Sequence, residues 1–228
     1  MKKLALAMLL CISTFTYAQK EVTKFLGIPV DGSKPAMIEK LKAKGFKYNQ
    51  RLDYLTGEFN GCDVNVYVVT NNNKVYRICL IDKLSQNETG IRIRFNNLIR
   101  QFNKSTRYIP AYATDPTIDD NEDISYEMSI QNKRYEAAYF QKTENIDTLE
   151  LKKITSEKRE QLLKKYSAEQ LETPSEDVNK DIEFATASTM YELFSKRPVW
   201  FLISEKYGEY RINMFYDNEY NHSDGEDL

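Results

Sequence analysis

Val64, Val66 and Val68 alternate with Asn65, Tyr67 and Val69, the chain turns at Asn71-Asn72-Asn73, and residues 75–81 run back in β-branched and aromatic residues. A period of two on both sides of an asparagine-rich turn is the pattern of an antiparallel hairpin. Its centre is apolar on both faces, so the hairpin belongs inside a sheet with a helix on one face and further chain or a partner on the other. The helix stands just upstream. Ser33 can cap it, Pro35 suits its first turn, and Met37, Ile38 and Leu41 share one side while Glu39, Lys40, Lys42 and Lys44 face away. Gly45 follows as a left-handed stop. Between helix and hairpin, residues 55–59 form a further strand, closed by Asn60-Gly61.

The asparagine turn sets the expected register: Tyr67 opposite Ile78 and Val66 opposite Cys79. Cys62 then lies four residues along its strand, about 13 Å away at 3.3 Å per residue. A disulfide needs Cα atoms within about 7 Å, so Cys62 and Cys79 are expected as two buried, unpaired thiols.

A second helix is predicted over 88–103, capped near Asn87 or Thr89, with Ile91, Phe95, Leu98, Ile99 and Phe102 as its stripe. Arg92, Arg94 and Arg100 lie off that stripe as a solvated basic face. Residues 106–114 read as extended and 115–123 as an acidic loop, followed by a hairpin of 124–130 with 135–141 around Gln131-Asn132-Lys133. This helix-then-strands order echoes the first. Residues 144–196 break it as a charged helical insertion, with one arm over 156–167. Thr173-Pro174-Ser175-Glu176 starts the second arm as cap, first-turn proline and capping-box acid, and Val178, Ile182, Ala185 and either Tyr191 or Phe194 can face a core. Residues 199–203 and 210–216 close the chain as a hairpin on Tyr207-Gly208. The fold class expected is α+β, a predominantly antiparallel sheet from two degenerate helix-plus-strands units, 19–83 and 84–217, with the insertion in the second. Residues 218–228 are expected as a disordered acidic tail.

Phe25-Leu26-Gly27-Ile28-Pro29-Val30-Asp31-Gly32, Lys40-Leu41-Lys42-Ala43-Lys44-Gly45-Phe46 and Leu55-Thr56-Gly57-Glu58-Phe59-Asn60-Gly61 together resemble a recurring pattern of uncharacterised exported proteins of Bacteroides-type bacteria. The layout of helix then strands is similar to β-lactamase-inhibitor-like repeats. The resemblance implies export and a sheet fold, and no activity.

Residues 1–18 read as a secretory signal: Lys2 and Lys3, an apolar run from Leu4 to Ile12, then Thr16-Tyr17-Ala18 before Gln19. The apolar run is shorter than the roughly 20 residues that span a bilayer. The expected location is therefore periplasmic or secreted, with no integral membrane segment after cleavage. The chain carries 32 Lys+Arg against 34 Asp+Glu, and losing Lys2 and Lys3 leaves 30 against 34, a weakly acidic balance without a basic block. Nucleic acid is not an expected partner.

Histidine bounds the chemistry. His222 is the only one, and it sits in the acidic tail, where it cannot serve a Ser-His-Asp or Cys-His mechanism. Neither a zinc set nor another cofactor is expected. Asp119, Asp120, Glu122 and Asp123 cluster in one loop, but Ile124 and Ile130 stand where a calcium loop needs Gly and Glu. Gly27 and Gly32 fit a turn, not a phosphate cradle. Asp147-Thr148-Leu149 matches a short acceptor pattern for periplasmic O-glycosylation on Thr148, again through the resemblance. Aromatic residues crowd the last hairpin, where alternation sends Tyr210 and Tyr216 to one face and Phe215 to the other. Packing in the core and sheet accounts for them first; if they bind instead, Tyr207, Tyr210, Tyr216 and Tyr220 are the candidate binding residues. The expected function is a non-catalytic binding or interaction protein of the cell envelope, its partner another envelope protein or a peptide. The alternatives are a carboxylate-dependent hydrolase of envelope polymer and a structural subunit of an envelope assembly.

Exported protein should begin at Gln19. Intact mass and N-terminal sequencing check this, and a retained leader would contradict it.

Overall fold

The structure of the chain is a computed structural model that describes residues 21–143 and 148–222. A small hairpin comes first, β1 (Lys24–Phe25) and β2 (Ile28–Pro29), turning on Leu26 and Gly27 at φ 51° and 79°. Helix α1 (Lys34–Ala43) leads into β3 (Lys47–Asn49), β4 (Tyr54–Phe59), β5 (Cys62–Asn71) and β6 (Lys74–Asp82). Helix α2 (Glu88–Lys104) leads into β7 (Tyr108–Pro110), a short α3 (Ile124–Ser129) and β8 (Glu136–Gln141). Then come α4 (Thr148–Leu163), α5 (Ala168–Glu172) and α6 (Glu176–Phe194), followed by β9 (Pro198–Lys206) and β10 (Glu209–Asp217).

The chain is α+β. Its eight-stranded sheet is antiparallel throughout, in the order β3-β4-β5-β6-β10-β9-β8-β7. That order is two four-strand meanders, each preceded by a helix, joined at their last strands. The helices α4–α6 interrupt the second meander between β8 and β9.

Register assigns the faces. Leu55, Val66, Leu80, Met214, Phe201 and Ala137 are successive cross-strand partners over six strands, and all are buried. Met37, Ile38 and Leu41 of α1 and Ile91, Phe95, Leu98, Ile99 and Phe102 of α2 join that row in one core. Phe95 meets Phe201 edge-on at 5.2 Å, and Phe102 stacks on Tyr139 at 4.7 Å. Both helices therefore cover the same face. Gly57 serves this packing, because a Cβ there would come within 2.5 Å of the Phe46 ring.

The expected register is one residue out over most of the hairpin. At the tip, Thr70 pairs with Val75 and Asn71 with Lys74, as the turn dictates. Beyond it, Val69 pairs with Arg77, so Tyr76 is an extra residue in β6, and Tyr67 faces Cys79 and Val66 faces Leu80. The bulge lets Val75 and Ile78, three apart, both enter the core. Cys62 shares the face of Val64, while Cys79 lies on the opposite one. The thiols are free, and half-buried instead of buried.

Three other expectations are corrected. Residues 124–129 form α3, not a strand. Asp123 accepts from the Tyr126 amide, Glu88 accepts from the Ile124 amide, and Asn96 holds both backbone groups of Ile118, which pins the loop onto α2. β8 pairs instead with β7 and β9. In the insertion the capping box is Ser167 with Gln170, and α6 is capped at Ser175. Val178 and Phe194 are buried there, whereas Tyr191 is exposed. Finally, the segment from Asn218 is docked through His222. The buried Asn218 gives its amide to the Tyr76 carbonyl and its side chain to that of Val30, and Asn221 bonds Asp31 and Val75. Residues 1–20, 144–147 and 223–228 lie outside the described residues, including the expected signal and Asp147.

Leu41→Ala should cost about 2–5 kcal/mol in chemical denaturation, as buried Leu truncations do. Lys42→Ala, whose pairing with Glu39 is exposed, should stay within about 0.5 kcal/mol. Gly57→Ala should cost about 1–3 kcal/mol through overpacking against Phe46. A neutral Leu41→Ala would contradict the helix-on-sheet core.

Candidate functional site

The face away from α1 and α2 carries its own row. Tyr67, Cys79, Phe215, Trp200 and Ala138 are successive partners from β5 to β8, each half-exposed. Beside it run Thr56, Asn65, Ile81, Asn213, Leu202 and Glu136. The Trp200 and Phe215 rings stack at 4.1 Å and 22°. Tyr54 and Tyr67 pack at 5.5 Å toward the β4 side.

Asp217 fixes this platform. Its carboxylate takes both Nε and Nη2 of Arg77, at 2.7 and 2.8 Å, and Nε1 of Trp200 at 2.9 Å. Its carbonyl accepts from the buried Thr23 hydroxyl. Arg77 in turn lies 4.9 Å from the Phe215 ring and 5.5 Å from that of Trp200. Arg134 also lies over the Trp200 ring, at 5.7 Å. The result is a fixed aromatic and guanidinium surface whose indole cannot turn without breaking a charge-assisted bond. Next to it, burial pushes the Cys79 thiol up to about 11, so it stays protonated at neutral pH.

An apolar cleft adjoins this face. Phe140, two residues beyond Ala138, meets Tyr191 of α6 edge-on at 5.5 Å. Between α6 and β7 lies a cavity of about 540 Å³ lined by Ile109, Pro110, Phe140, Phe184, Met190 and Tyr191. Phe184 is 77 % exposed there, uncommon for so large an apolar side chain.

The four tyrosines singled out in the sequence separate. Tyr210 and Tyr216 are buried core residues on the helix side, away from the open face. Tyr207 stands 92 % exposed at the hairpin tip with Lys206 over its ring. Tyr220 is half-buried in the docked segment, its amide on Asn218. Thr148 opens α4 at the edge of the described chain. The basic face of α2 is taken up in contacts: Arg94 pairs with the buried Asp82, and Arg92 reaches Glu88 and the Glu122 carbonyl, leaving Arg100 exposed.

The acidic loop also resolves into separate roles. Asp119 and Asp120 are exposed, and Asp123 is the α3 cap. Lys133 and the Tyr135 hydroxyl hold the Glu122 carboxyl below its usual range. Lys34 and Tyr48 do the same for Asp53, and Lys165 and Tyr166 for Asp181. Glu219 differs, pushed up by burial and by nearby Asp217. His222 packs edge-on to Tyr76 at 5.3 Å. Among the described residues no group of three His, Cys, Asp or Glu is placed to hold a metal, and no helix is long and apolar enough to cross a membrane. No protein-family model, curated protein or solved structure matches the chain.

Alternation puts Tyr210 and Tyr216 on one face of the last hairpin and Phe215 on the other, and the face with Tyr210 and Tyr216 is the one packed in the core. With Val199, Phe201 and Ile203 in the core, Trp200 and Leu202 must point the other way, beside Phe215. The pairing of β6 with β10, which brings Arg77 to Asp217, has no local sequence signal.

Asp217→Asn should destabilise the fold by about 3 kcal/mol in urea, the low end for breaking a buried pair, because Arg77 still reaches solvent. The same change should alter the emission of Trp200, the only tryptophan. Acid has a separate effect. A carboxyl with a lowered folded pKa stabilises above its ordinary pKa, and that stability is lost as pH falls through the folded value. Glu122→Gln should therefore reduce the loss of stability measured between about pH 5 and 3.

Proposed function

We propose that the protein is an exported, non-catalytic binding protein of the cell envelope, and that its ligand is a protein or peptide received on the open face of the sheet. The observation that carries this reading is the half-exposed row Tyr67, Cys79, Phe215, Trp200, held in place by Arg77 and Asp217. Trp, Tyr and Arg are the residue types that concentrate binding energy at protein interfaces, and prior rigidity lowers the entropy cost of association. The apolar cleft with Phe184 extends the same surface and suits an apolar anchor from the ligand. The signal-like residues 1–18 support export. The carboxylates with lowered pKa are engaged by lysines and tyrosines, which makes them poor general acids and favours binding over hydrolysis.

Photo-crosslinking in the native envelope tests this reading. A crosslinker at Leu202 on the open face should give a discrete protein adduct, and one at Lys42 on the outer side of α1 should not. Trp200→Ala should weaken capture about 30-fold, the loss expected for an interface anchor worth at least 2 kcal/mol. Equal adducts from both positions, or none from Leu202, would overturn the proposal.

A further inference from the structure

Helix α1 packs on β5 and β6 and α2 on β10 and β7, and beside Phe59 and Tyr216 they leave a space that the β1–β2 hairpin fills only in part. Phe25 plugs the deep end, against Phe46, Phe59 and Tyr216 at 5.0–6.3 Å. What remains is a cavity of about 370 Å³, at the small end of ligand-sized sites. Its wall is largely aromatic, from Phe59, Tyr108 and the buried Tyr216, with the exposed Leu26 at the rim and Glu21 also in the lining. Its mouth is basic. Arg107 and Lys142 both line it, both are exposed, and among the described residues neither has a carboxylate within ion-pair distance. Lys24 is paired there with Glu21 at 3.1 Å.

Hydrogen bonds fix the strand ends beside this mouth. The Gln141 side chain accepts from the Lys24 amide at 2.7 Å and donates to the Lys24 carbonyl at 3.0 Å, fastening β1 to the end of β8. The Lys142 amide donates to the Arg107 carbonyl at 2.8 Å, so the two cations ride on one backbone pair, with the Arg107 guanidinium 5.9 Å from the Tyr108 ring. Across the gap, Asn60 at the β4–β5 turn bonds Gln101 of α2 at 2.6 Å. Two adjacent cations at an aromatic-walled cavity, in a chain with net charge −2, make a local field opposite to that of the whole molecule.

We propose that this cavity binds a carboxylate borne on a compact apolar stem, with the stem against Phe59 and Tyr216 and the carboxylate between Arg107 and Lys142. The guanidinium can take a carboxylate through two parallel N–H bonds, and the ammonium supplies a second charge without geometric demand. Two sources share this chemistry: the last residue of a peptide chain and a free aliphatic or aryl acid. The site lies on the opposite side of the sheet from the Trp200 platform and stands or falls separately from it.

Calorimetric titration of the full mature chain with N-acetyl-phenylalanine, its uncharged amide, and octanoate tests the proposal. At least one of the two acids should bind, and N-acetyl-phenylalanine should bind at least 10-fold more tightly than its amide. A preference for it over octanoate identifies a chain terminus as the natural source, and the reverse identifies a free acid. Arg107→Gln and Lys142→Gln alter exposed side chains, so the fold should persist. Each should weaken acid binding about 5- to 10-fold, and Trp200→Ala should leave it unchanged. No binding of either acid, equal binding of N-acetyl-phenylalanine and its amide, or indifference to both charge-removing variants would overturn it.

Discussion

The pairing of β6 with β10 is the constraint from which the rest follows. Each meander alone is a short sheet with one helix, too small to bury both its faces. Joined at their last strands, in the register Leu80 to Met214 and Cys79 to Phe215, they share one core. The same register fixes two further features. It places Arg77 of the first unit opposite Asp217 of the second, so a charge pair is closed at the seam. It also aligns two half-exposed rows on the face the helices do not cover.

Local features were legible because they depend on local physics. The stripes Met37/Ile38/Leu41 and Ile91/Phe95/Leu98 face the core because helical spacing leaves no alternative once one of them is buried. The turns at Asn60-Gly61 and Tyr207-Gly208 are followed because Asn60, Gly61 and Gly208 accept positive φ, and Tyr207 adopts it at the tip beside Gly208. The register failed at Tyr76, where an added residue carries no signature of its own. Residues 124–130 alternate like a strand but fold as α3, because Asp123 and Glu88 satisfy its first amides, and Glu88 lies 36 positions away. The candidate site was legible only in part: alternation separated Phe215 from Tyr216 but could not say which of them faced helices.

The Tyr76 bulge links fold error and docked tail. A residue with no cross-strand partner keeps its carbonyl free, and the Asn218 amide uses it at 2.7 Å. The chain just past β10 is thereby drawn back over the β5–β6 turn, where Asn71, Asp31 and Val75 receive Asn221. This docking also keeps Asp217, one residue earlier, buried beneath Arg77 and Trp200. A feature that looks like an irregularity in β6 thus supports the rigidity of the open face.

The helix side carries the complementary consequence of the seam. Helix α1 reaches β6 and α2 reaches β10 from their own meanders, and a gap is left between them beside Phe59 and Tyr216. The chain closes that gap with the β1–β2 hairpin, which needs Leu26 and Gly27 at positive φ to turn tightly enough for Phe25 to enter the core. A two-residue hairpin is narrower than a helix, so space remains beside it, bounded by whatever the neighbouring strand ends present. Those ends are the exposed Arg107 and Lys142, which line the cavity together with Phe59, Tyr108 and Tyr216. Opposite faces of one sheet thus offer different chemistry: a broad rigid aromatic surface suited to a chain, and a small basic-mouthed cavity suited to an anion. Both derive from the same junction of two meanders.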